Sequence, residues 1–440
     1  MSGRNIVGIV GRRVWDSRGR PTVETEVMLA GGAIGRGIAP AGASRGTHEA
    51  IDLRDGGTAL GGYGVARALE AVGRHIAPAL AGMDASDQPA IDAALIALDG
   101  TPNKARLGGN ATVAVSMAVL NAAAAAAGEP LWRHLAQGRA TRLPLPQVQI
   151  FGGGAHAGRR IDIQDLMAVP LGAGSCDQAF AMIAEVYHAA GKLMAQSGRL
   201  AGVADEGGFW PDFKSNEEAL ETLTRAIEAA GFTPGDEVAI ALDIAASEFG
   251  AGGRYRLALD RRELDRDAWI ALLLDWVSRF AIISIEDPLA QDDDAGMLAF
   301  TRATSGRIQV VGDDYLVTNA DRIARAARAG ACNAALIKPN QAGTVSEAHA
   351  ALAAARASGW RTIVSARSGE TEDVTIAHLA TGWDAGQLKV GAFARSERMA
   401  KWNELLRIEA QAGAAVTFAG RAALAVPARS PSIGSEKSPY

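Results

Sequence analysis

Each of six short apolar segments delivers a charged or polar side chain at its carboxyl end. The segments are VAIALD, AIISIED, IQVVGDD, ALIKP, TIVSAR and LKVGA, and the side chains are Asp243, Glu286, Asp313, Lys338, the pair Arg367 and Ser368, and Lys389. One acid at a strand end, taken alone, is more often a helix cap or a surface ion-pair partner. Three acids on successive segments, with no His or Cys among them, favour a hard cation bound by oxygen, and Mg²⁺ is the expected ion.

The basic side chains of this set suit proton transfer and anion binding. Lys338 lies in an otherwise apolar segment. Burial and nearby positive charge would lower the pKa of its ammonium and let the neutral amine act as a general base, the alternative being a structural ion pair. Lys389 would bind a carboxylate, and Arg367 with Ser368 a phosphate. The set predicts removal of a proton α to a carboxylate, with Mg²⁺ stabilising the enediolate. Ala366, beside the anion-binding pair, offers neither donor nor acceptor.

A second set of candidate residues lies in two glycine-rich segments. GGGAHAGRRIDIQDLMAVP contains His156, Gln164 and Asp165, and GVADEGGFWPDF contains Glu206. Nucleotide binding is not indicated, because neither segment has the G-K-[ST] of a P-loop or the strand-to-helix setting of a dinucleotide fingerprint. We expect the glycines to free a loop that carries an acid/base group. A lone His156 would otherwise be a structural histidine.

Parallel strands that end at one face would bring these residues together. From Val238 onward, strand-like segments alternate with helical ones at roughly 25-residue spacing, which predicts β/α units. Six consecutive units predict a (β/α) barrel, with a doubly wound open sheet as the alternative, and barrel active sites lie at the carboxyl ends of the strands. Upstream, IVGIVGRRV and TVETEVMLA predict strands, residues 65–80, 88–98 and 111–127 predict helices, and LPLPQ predicts a domain junction.

Composition argues against several classes of function. The 440 residues carry a net charge of −5 with a pI of about 5.9, which gives no support for binding nucleic acid or an anionic membrane. We expect no signal peptide, and no apolar run that approaches the roughly 20 residues needed to span a bilayer. Only Cys176 and Cys332 are present, so a reducing cytoplasm without disulfides is expected. Residues 427–440 are rich in Pro and Ser and predict a disordered tail.

The chain resembles the enolase family over nearly its whole length. The segments that carry the resemblance, in the family's order, are DSRGRPTVETEV, GASRGTHEA, LPLPQ, GGAHAG, DIQDLM, DEGG, ALDIAASEF, SIEDP, VGDD, LIKPNQAGT, RSGETED and GQLKVGAFARSER. The resemblance implies an α/β fold in which an α+β N-terminal domain, residues 1–140, caps a modified (β/α)₈ barrel, residues 141–426. It also implies two Mg²⁺ ions, a small phosphorylated or phosphonylated carboxylate as substrate, and a homodimer.

The resemblance also implies a role for each matched position. The implied metal ligands are Asp243, Glu286, Asp313 and Ser44. The implied catalytic residues are Lys338, Glu206, Asp165 and His156. The implied substrate-binding residues are Arg367, Ser368, Lys389, Gln164, Ser44, Arg45 and Ala366. In the family the lysine is the base that removes the C2 proton, the glutamate assists departure of the C3 hydroxyl, and the serine lies on a mobile loop that holds the second Mg²⁺.

The chain departs from the family pattern beside these positions. Asp165 stands where the family has Glu, which withdraws a carboxylate by one methylene, on the order of 1 Å. Ala366 replaces a histidine and Gly152 an asparagine, and both changes would open space. Arg45 stands on the mobile loop where a small residue or a lysine is more familiar, and Phe393 replaces a proline.

Three functions are compatible with these features. The first choice is a specialised Mg²⁺-dependent enzyme that resembles carboxyphosphonoenolpyruvate synthase of phosphinothricin-type phosphonate biosynthesis, which uses a CMP-activated phosphonoformate donor. The gap at Ala366 and the charge of Arg45 would accommodate such a larger, more anionic substrate. The alternative is ordinary enolase, which dehydrates 2-phosphoglycerate to phosphoenolpyruvate. The third is a catalytically degenerate binding protein, against which the intact metal ligands and Lys338 argue.

Overall fold

An antiparallel three-stranded sheet followed by helices forms the N-terminal part of the protein. The computed structural model describes residues 3–424, so the tail predicted at residues 427–440 lies outside the described residues. The strands are β1 (Ile6–Trp15), β2 (Pro21–Leu29) and β3 (Ile34–Ile38). The helices are α1 (Ala66–Ala71), α2 (Ala77–Leu80), α3 (Gln88–Asp99), α4 (Gly109–Ala127) and α5 (Leu131–Ala136), with a π-helical turn between α1 and α2. The strands and helices predicted here are confirmed.

Helix α4 packs closely against this sheet. Gly35 and Gly37 on β3 permit the approach, because a Cβ on either glycine would clash with the backbone of α4. By length and hydropathy alone α4 is long and apolar enough to cross a membrane, a property that was not assigned to it from the sequence. In the structure, however, most residues of α4 are buried inside the protein, and α4 is a core helix.

The second part of the chain is built around a closed barrel. The strands from residue 141 onward are β4 (Thr141–Leu143), β5 (Leu145–Gly152), β6 (Asp165–Pro170), β7 (Val238–Asp243), β8 (Gly250–Ala251), β9 (Arg254–Leu257), β10 (Arg262–Asp265), β11 (Ile282–Glu286), β12 (Gln309–Gly312), β13 (Ala334–Ile337), β14 (Arg361–Ser365), β15 (Gly386–Ala392) and β16 (Val416–Phe418). Eight of them close in the order β11-β12-β13-β14-β15-β5-β6-β7. The predicted barrel is confirmed, and the open-sheet alternative is wrong.

Helices cover the outside of the barrel. They are α6 (Cys176–Gln196), α7 (Asn216–Ala229), α8 (Arg266–Arg279), α9 (Asp294–Thr304), α10 (Ala320–Ala329), α11 (Pro339–Ala342), α12 (Val345–Ala357), α13 (Thr375–Gly382) and α14 (Ser396–Ala412). Several begin at a Ser, Thr, Asp or Asn whose side chain accepts a bond from a backbone N–H of the first turn. Because both faces of the barrel wall are covered, strands such as β7 are buried along their whole length and are almost entirely apolar.

One barrel strand runs against its neighbours. Strand β6 pairs antiparallel with both β5 and β7, and residues 153–164 connect β5 to β6 without an α-helical crossover. The first residue of β6, Asp165, is therefore in register with the last residue of β7, Asp243, at the carboxyl edge of the barrel. The sequence predicted neither β5 nor β6 as a strand, and the junction predicted at LPLPQ overlaps the start of β5.

Candidate active site

Buried carboxylates and a lysine converge at the mouth of the barrel. Asp243 and Glu286 end the adjacent strands β7 and β11, and Asp313 directly follows β12. Lys389 lies in the middle of β15 and not at its end, as the sequence had suggested, and its Nζ reaches Asp243 Oδ2 at 2.7 Å and Glu286 Oε2 at 2.8 Å. Burial disfavours the ammonium, but these carboxylates outweigh burial and raise the pKa of Lys389 well above its usual value.

Lys338, the predicted base, follows β13 and forms an ion pair with Asp313. The prediction of a lowered lysine pKa is wrong for this structure. Burial acts in the predicted direction, but the Asp313 carboxylate outweighs it and raises the pKa of Lys338. Gln341 Nε2 donates to the other oxygen of Asp313 at 2.9 Å. A cation bound to Asp313 would compete with Lys338, because both attract the same negative charge.

Across the barrel mouth, four candidate residues form a second polar group. His156 Nδ1 donates to Asp165 Oδ1 at 2.9 Å, and His156 Nε2 lies 3.0 Å from Ser368 Oγ and 3.7 Å from Glu206 Oε1. Asp165 Oδ2 lies 3.2 Å from Lys389 Nζ. Burial opposes charge on both members of the pair. Even so, the carboxylates of Glu206 and Asp165 raise the pKa of His156, while His156 and Lys389 hold the pKa of Asp165 well below its usual range.

The predicted phosphate-binding arginine is held by a loop of the N-terminal part. Arg367 Nη1 donates to Glu49 Oε2 at 3.0 Å, and its Nη2 donates to the Ser44 carbonyl at 2.8 Å. These bonds fasten the loop of residues 41–50 to the barrel. Arg45, on the same loop, has a 43% exposed side chain and pairs with Asp52 at 2.8 Å. The structure therefore does not bring Arg45 together with the other candidate residues.

One of the two positions that the sequence suggested as openings is closed. A Cβ on Gly152 would lie 2.6 Å from the Ala204 Cβ and 3.2 Å from the amide atoms of Gln149, so the missing side chain leaves no room. Ala366 is buried, and its N–H donates to the carbonyl of Lys389 at 2.9 Å. The gap predicted at Ala366 stays a prediction.

The oxygen atoms at the barrel mouth fit a hard cation. Glu286 Oε1 and Gln164 Oε1 are buried without a hydrogen-bond partner among residues 3–424, while Gln164 Nε2 donates to Asp243 at 3.1 Å. Burial and the Asp243 charge raise the pKa of Glu286 well above its usual value, so the protein alone does not fully compensate the negative charge there. Unpaired carboxylate and amide oxygens with excess negative charge are suitable ligands for Mg²⁺. Ser44 is buried beside Arg367.

Three contacts in the site come from residues that were not identified in the sequence: Gln149 with Asp165, Glu49 with Arg367, and Gln341 with Asp313. Neutral amides do not titrate, and a glutamate in a polar loop is expected to be exposed. For Gln149 one signal was available. In the segment PQVQI two glutamines alternate with apolar residues, the period of a strand with one polar face.

Comparisons with known proteins agree with this architecture. The family model described as "Enolase, C-terminal TIM barrel domain" matches residues 140–426, and the one described as "Enolase, N-terminal domain" matches residues 6–135. The chain is 47% identical over 428 residues, which are 97% of its own length and 98% of the relative's, to Enolase 1 of Desulfitobacterium hafniense (strain Y51). The resemblance found in the sequence is confirmed. The chain belongs to the enolase family and is an enzyme of the enolase superfamily.

Proposed function

We propose that the protein catalyses the reversible dehydration of 2-phosphoglycerate to phosphoenolpyruvate, as an ordinary enolase does. One observation carries the proposal: the base, Lys338, and the Asp165–His156 pair beside the proton donor Glu206 belong to opposite sides of the barrel. Lys338 follows β13 and Asp165 begins β6, and these strands are four places apart in a ring of eight. Such an elimination suits this placement, because a proton leaves C2 on one side of the substrate while the hydroxyl leaves C3 on the other.

Each side of the site has its own task in this reaction. Neutral Lys338 Nζ accepts the C2 proton, and the electron pair of that C–H bond passes through the enediolate into the new C2=C3 bond. The hydroxyl leaves C3 and takes a proton from Glu206, so that water is released. His156 and Asp165 hold the position of this proton donor. In the reverse direction each group performs the opposite transfer.

The remaining polar residues match the charges of the substrate. We assign the substrate carboxylate to Lys389, and its phosphate to Arg367 and Ser368. The three strand-end carboxylates would hold one Mg²⁺, and the loop with Ser44 would help to hold a second. When bound, Mg²⁺ supplies positive charge that competes with Lys338 for Asp313 and stabilises the enediolate. Calorimetric titration with MgCl₂ and a substrate analogue tests the number of ions, and two are expected.

The specialised function that resembles carboxyphosphonoenolpyruvate synthase has less support than this alternative. The relative with 47% identity bears the name Enolase 1. One of the two substitutions that suggested the specialised function also loses its force, because Arg45 pairs with Asp52. The change at Gly152 opens no space. A role in phosphonate biosynthesis has no support in the comparisons.

Turnover of 2-phosphoglycerate tests the proposal. Purified protein with Mg²⁺ should form phosphoenolpyruvate, followed by the absorbance of the enol product, at about 10 to 10³ s⁻¹. An Ala366→His variant should change this rate little. A nearly inactive wild type that gains substantial activity from Ala366→His would contradict the proposal. It would favour the specialised function instead.

The quaternary structure and location implied by the family are proposals as well. We expect a homodimer, which light scattering of the purified protein would test. We expect the protein in the cytoplasm, which cell fractionation would test.

A further inference from the structure

We propose that Gln149 is a positioning residue that holds the Asp165 carboxylate in place against the loop that carries Glu206. This inference rests on the proposed function. Gln149 lies on β5, beside β6, and its side chain is buried. Its Nε2 donates to Asp165 Oδ1, and its Oε1 accepts the Gly208 N–H at 2.8 Å. One amide thus connects the carboxylate on β6 with a loop residue two positions after Glu206.

The Gln149 amide has a single orientation that satisfies both partners. The Gly208 N–H can only donate, so it requires Oε1 of the amide. The ionised Asp165 carboxylate can only accept, so it requires Nε2. A rotation by about 180° would set oxygen against oxygen and N–H against N–H, at a buried site where neither clash can be relieved by water. The contact therefore fixes both the side chain and its partners.

The Gln149 side chain is long enough to reach the short Asp165 side chain, and it lies beside Gly152. Asp165 is one methylene shorter than the glutamate of the family pattern, and Gln149 reaches it from the adjacent strand. A Cβ on Gly152 would lie 3.2 Å from both terminal atoms of the Gln149 amide, and one on Gly208 would lie 2.5 Å from its Oε1. Two departures from the family pattern, Asp165 and Gly152, are thus both neighbours of this one amide.

Loss of this contact should affect only one half of the reaction. Without Gln149, Asp165 Oδ1 keeps His156 as its only donor among the described residues, and the carboxylate is free to turn toward Lys389. His156 then loses a fixed acceptor, and its Nε2 loses its set position 3.7 Å from Glu206. The base, Lys338, follows β13, the strand opposite β6, and its ammonium pairs with Asp313 and not with Asp165. We therefore expect slower hydroxyl departure with proton removal preserved.

A Gln149→Leu variant separates the two halves. In D₂O with Mg²⁺ and 2-phosphoglycerate, NMR follows both exchange of the C2 hydrogen and formation of phosphoenolpyruvate. Dehydration should fall by about 10²-fold, while C2 exchange stays within about threefold of wild type. Gln147→Leu is the matched control, since Gln147 is an interior glutamine of the same strand that bonds to Gln387 at 2.9 Å. Its ratio of exchange to dehydration should be that of wild type.

A second test keeps the contact between residues 149 and 165 but lengthens one side chain by a methylene and shortens the other. Asp165→Glu alone should slow dehydration by about tenfold, because the longer side chain crowds the Gln149 amide. The double variant Gln149→Asn/Asp165→Glu restores the combined length and should recover dehydration to within about threefold of wild type. If Gln149→Leu does not fold, this pair carries the test alone.

Each possible result has a defined meaning. If the two single substitutions act independently, their separate losses of dehydration rate multiply in the double variant. A double variant that is no faster than this product would overturn the inference. So would a Gln149→Leu enzyme whose exchange and dehydration stay unchanged or fall together. A wild-type protein that neither exchanges C2 nor dehydrates the substrate would overturn the proposed function, and the inference with it.

Discussion

At the scale of single residues, two arginines differ in what surrounds them. Arg367 is 3% exposed and uses both terminal nitrogens on Glu49 and Ser44, whereas the Arg45 side chain is 43% exposed and pairs with Asp52. A buried guanidinium offers paired donors to a phosphate, and lysine cannot reproduce them. An exposed ion pair contributes little to stability or binding.

Substitution of these two arginines should therefore have unequal effects. Arg367→Lys should lower kcat/KM for 2-phosphoglycerate by about 10²-fold, because the bidentate contact is lost. Arg45→Ala, the matched control, should change kcat and KM by less than about twofold. Steady-state kinetics measure both. A KM raised tenfold or more by Arg45→Ala would place that side chain at the substrate, as the sequence had suggested.

The chemistry-bearing residues were predicted from sequence where their type and position carried a signal. Asp243 and Glu286 end apolar strands, so their carboxylates could be expected at one edge of the barrel. The direction of the Lys338 pKa was not predictable, because it depends on whether Asp313 lies within pairing distance in three dimensions. Gln149 was missed because an uncharged amide is informative only through its partners.

At the scale of elements, the barrel was predicted where strands and helices alternate. Strands β7 and β11 to β15 each follow a helix and read as apolar runs. Strand β5 contains Pro146 close to its start, and only a short 3-10 turn, Gly154–Ala157, separates it from β6. The alternation therefore gives no signal there. The antiparallel β6 is nonetheless what brings Asp165 to the carboxyl edge, because a parallel strand would present its first residue at the opposite end of the barrel.

The loop of residues 41–50 should compete with the substrate for Arg367. Glu49 binds this guanidinium through both oxygens, at 3.0 and 3.3 Å, where we place the substrate phosphate. Glu49→Gln weakens the pair, so KM for 2-phosphoglycerate should fall by about threefold. Asp52→Asn, which removes the partner of the other loop arginine, is the control and should leave KM unchanged. A raised KM in Glu49→Gln would instead mean that the glutamate orients Arg367 for binding.

At the scale of the whole molecule, the N-terminal part and the barrel meet at a buried carboxyl group. Asp92 on α3 accepts from Ser116 Oγ on α4 at 2.6 Å and from the Ser346 N–H at the start of α12 at 2.8 Å. The Val345 N–H donates in turn to Ser116 Oγ at 2.9 Å. Burial outweighs these hydrogen bonds and raises the pKa of Asp92. The junction thus contains a carboxyl group that holds its proton more tightly than it would in the unfolded chain.

The stability of this junction should depend on pH. An unfolded aspartate ionises near pH 4, and the raised pKa means that the folded protein binds the Asp92 proton more tightly. The contribution of Asp92 is therefore greatest below that pH and declines as pH rises toward the folded pKa. Asp92→Asn removes the ionisation. The melting temperature of the variant relative to wild type should increase as the pH rises above about 4. A difference that does not change with pH would contradict this account.

The central claim is that opposite sides of the barrel mouth perform opposite halves of one dehydration. The most direct test of this claim is to measure C2 hydrogen exchange of 2-phosphoglycerate in D₂O with Mg²⁺. The account predicts that Lys338→Ala loses both exchange and phosphoenolpyruvate formation. It predicts that Glu206→Gln loses phosphoenolpyruvate formation by about 10²-fold or more but keeps the exchange. Exchange that survives in Lys338→Ala, or that disappears together with dehydration in Glu206→Gln, would contradict the division of the site into a base side and a leaving-group side.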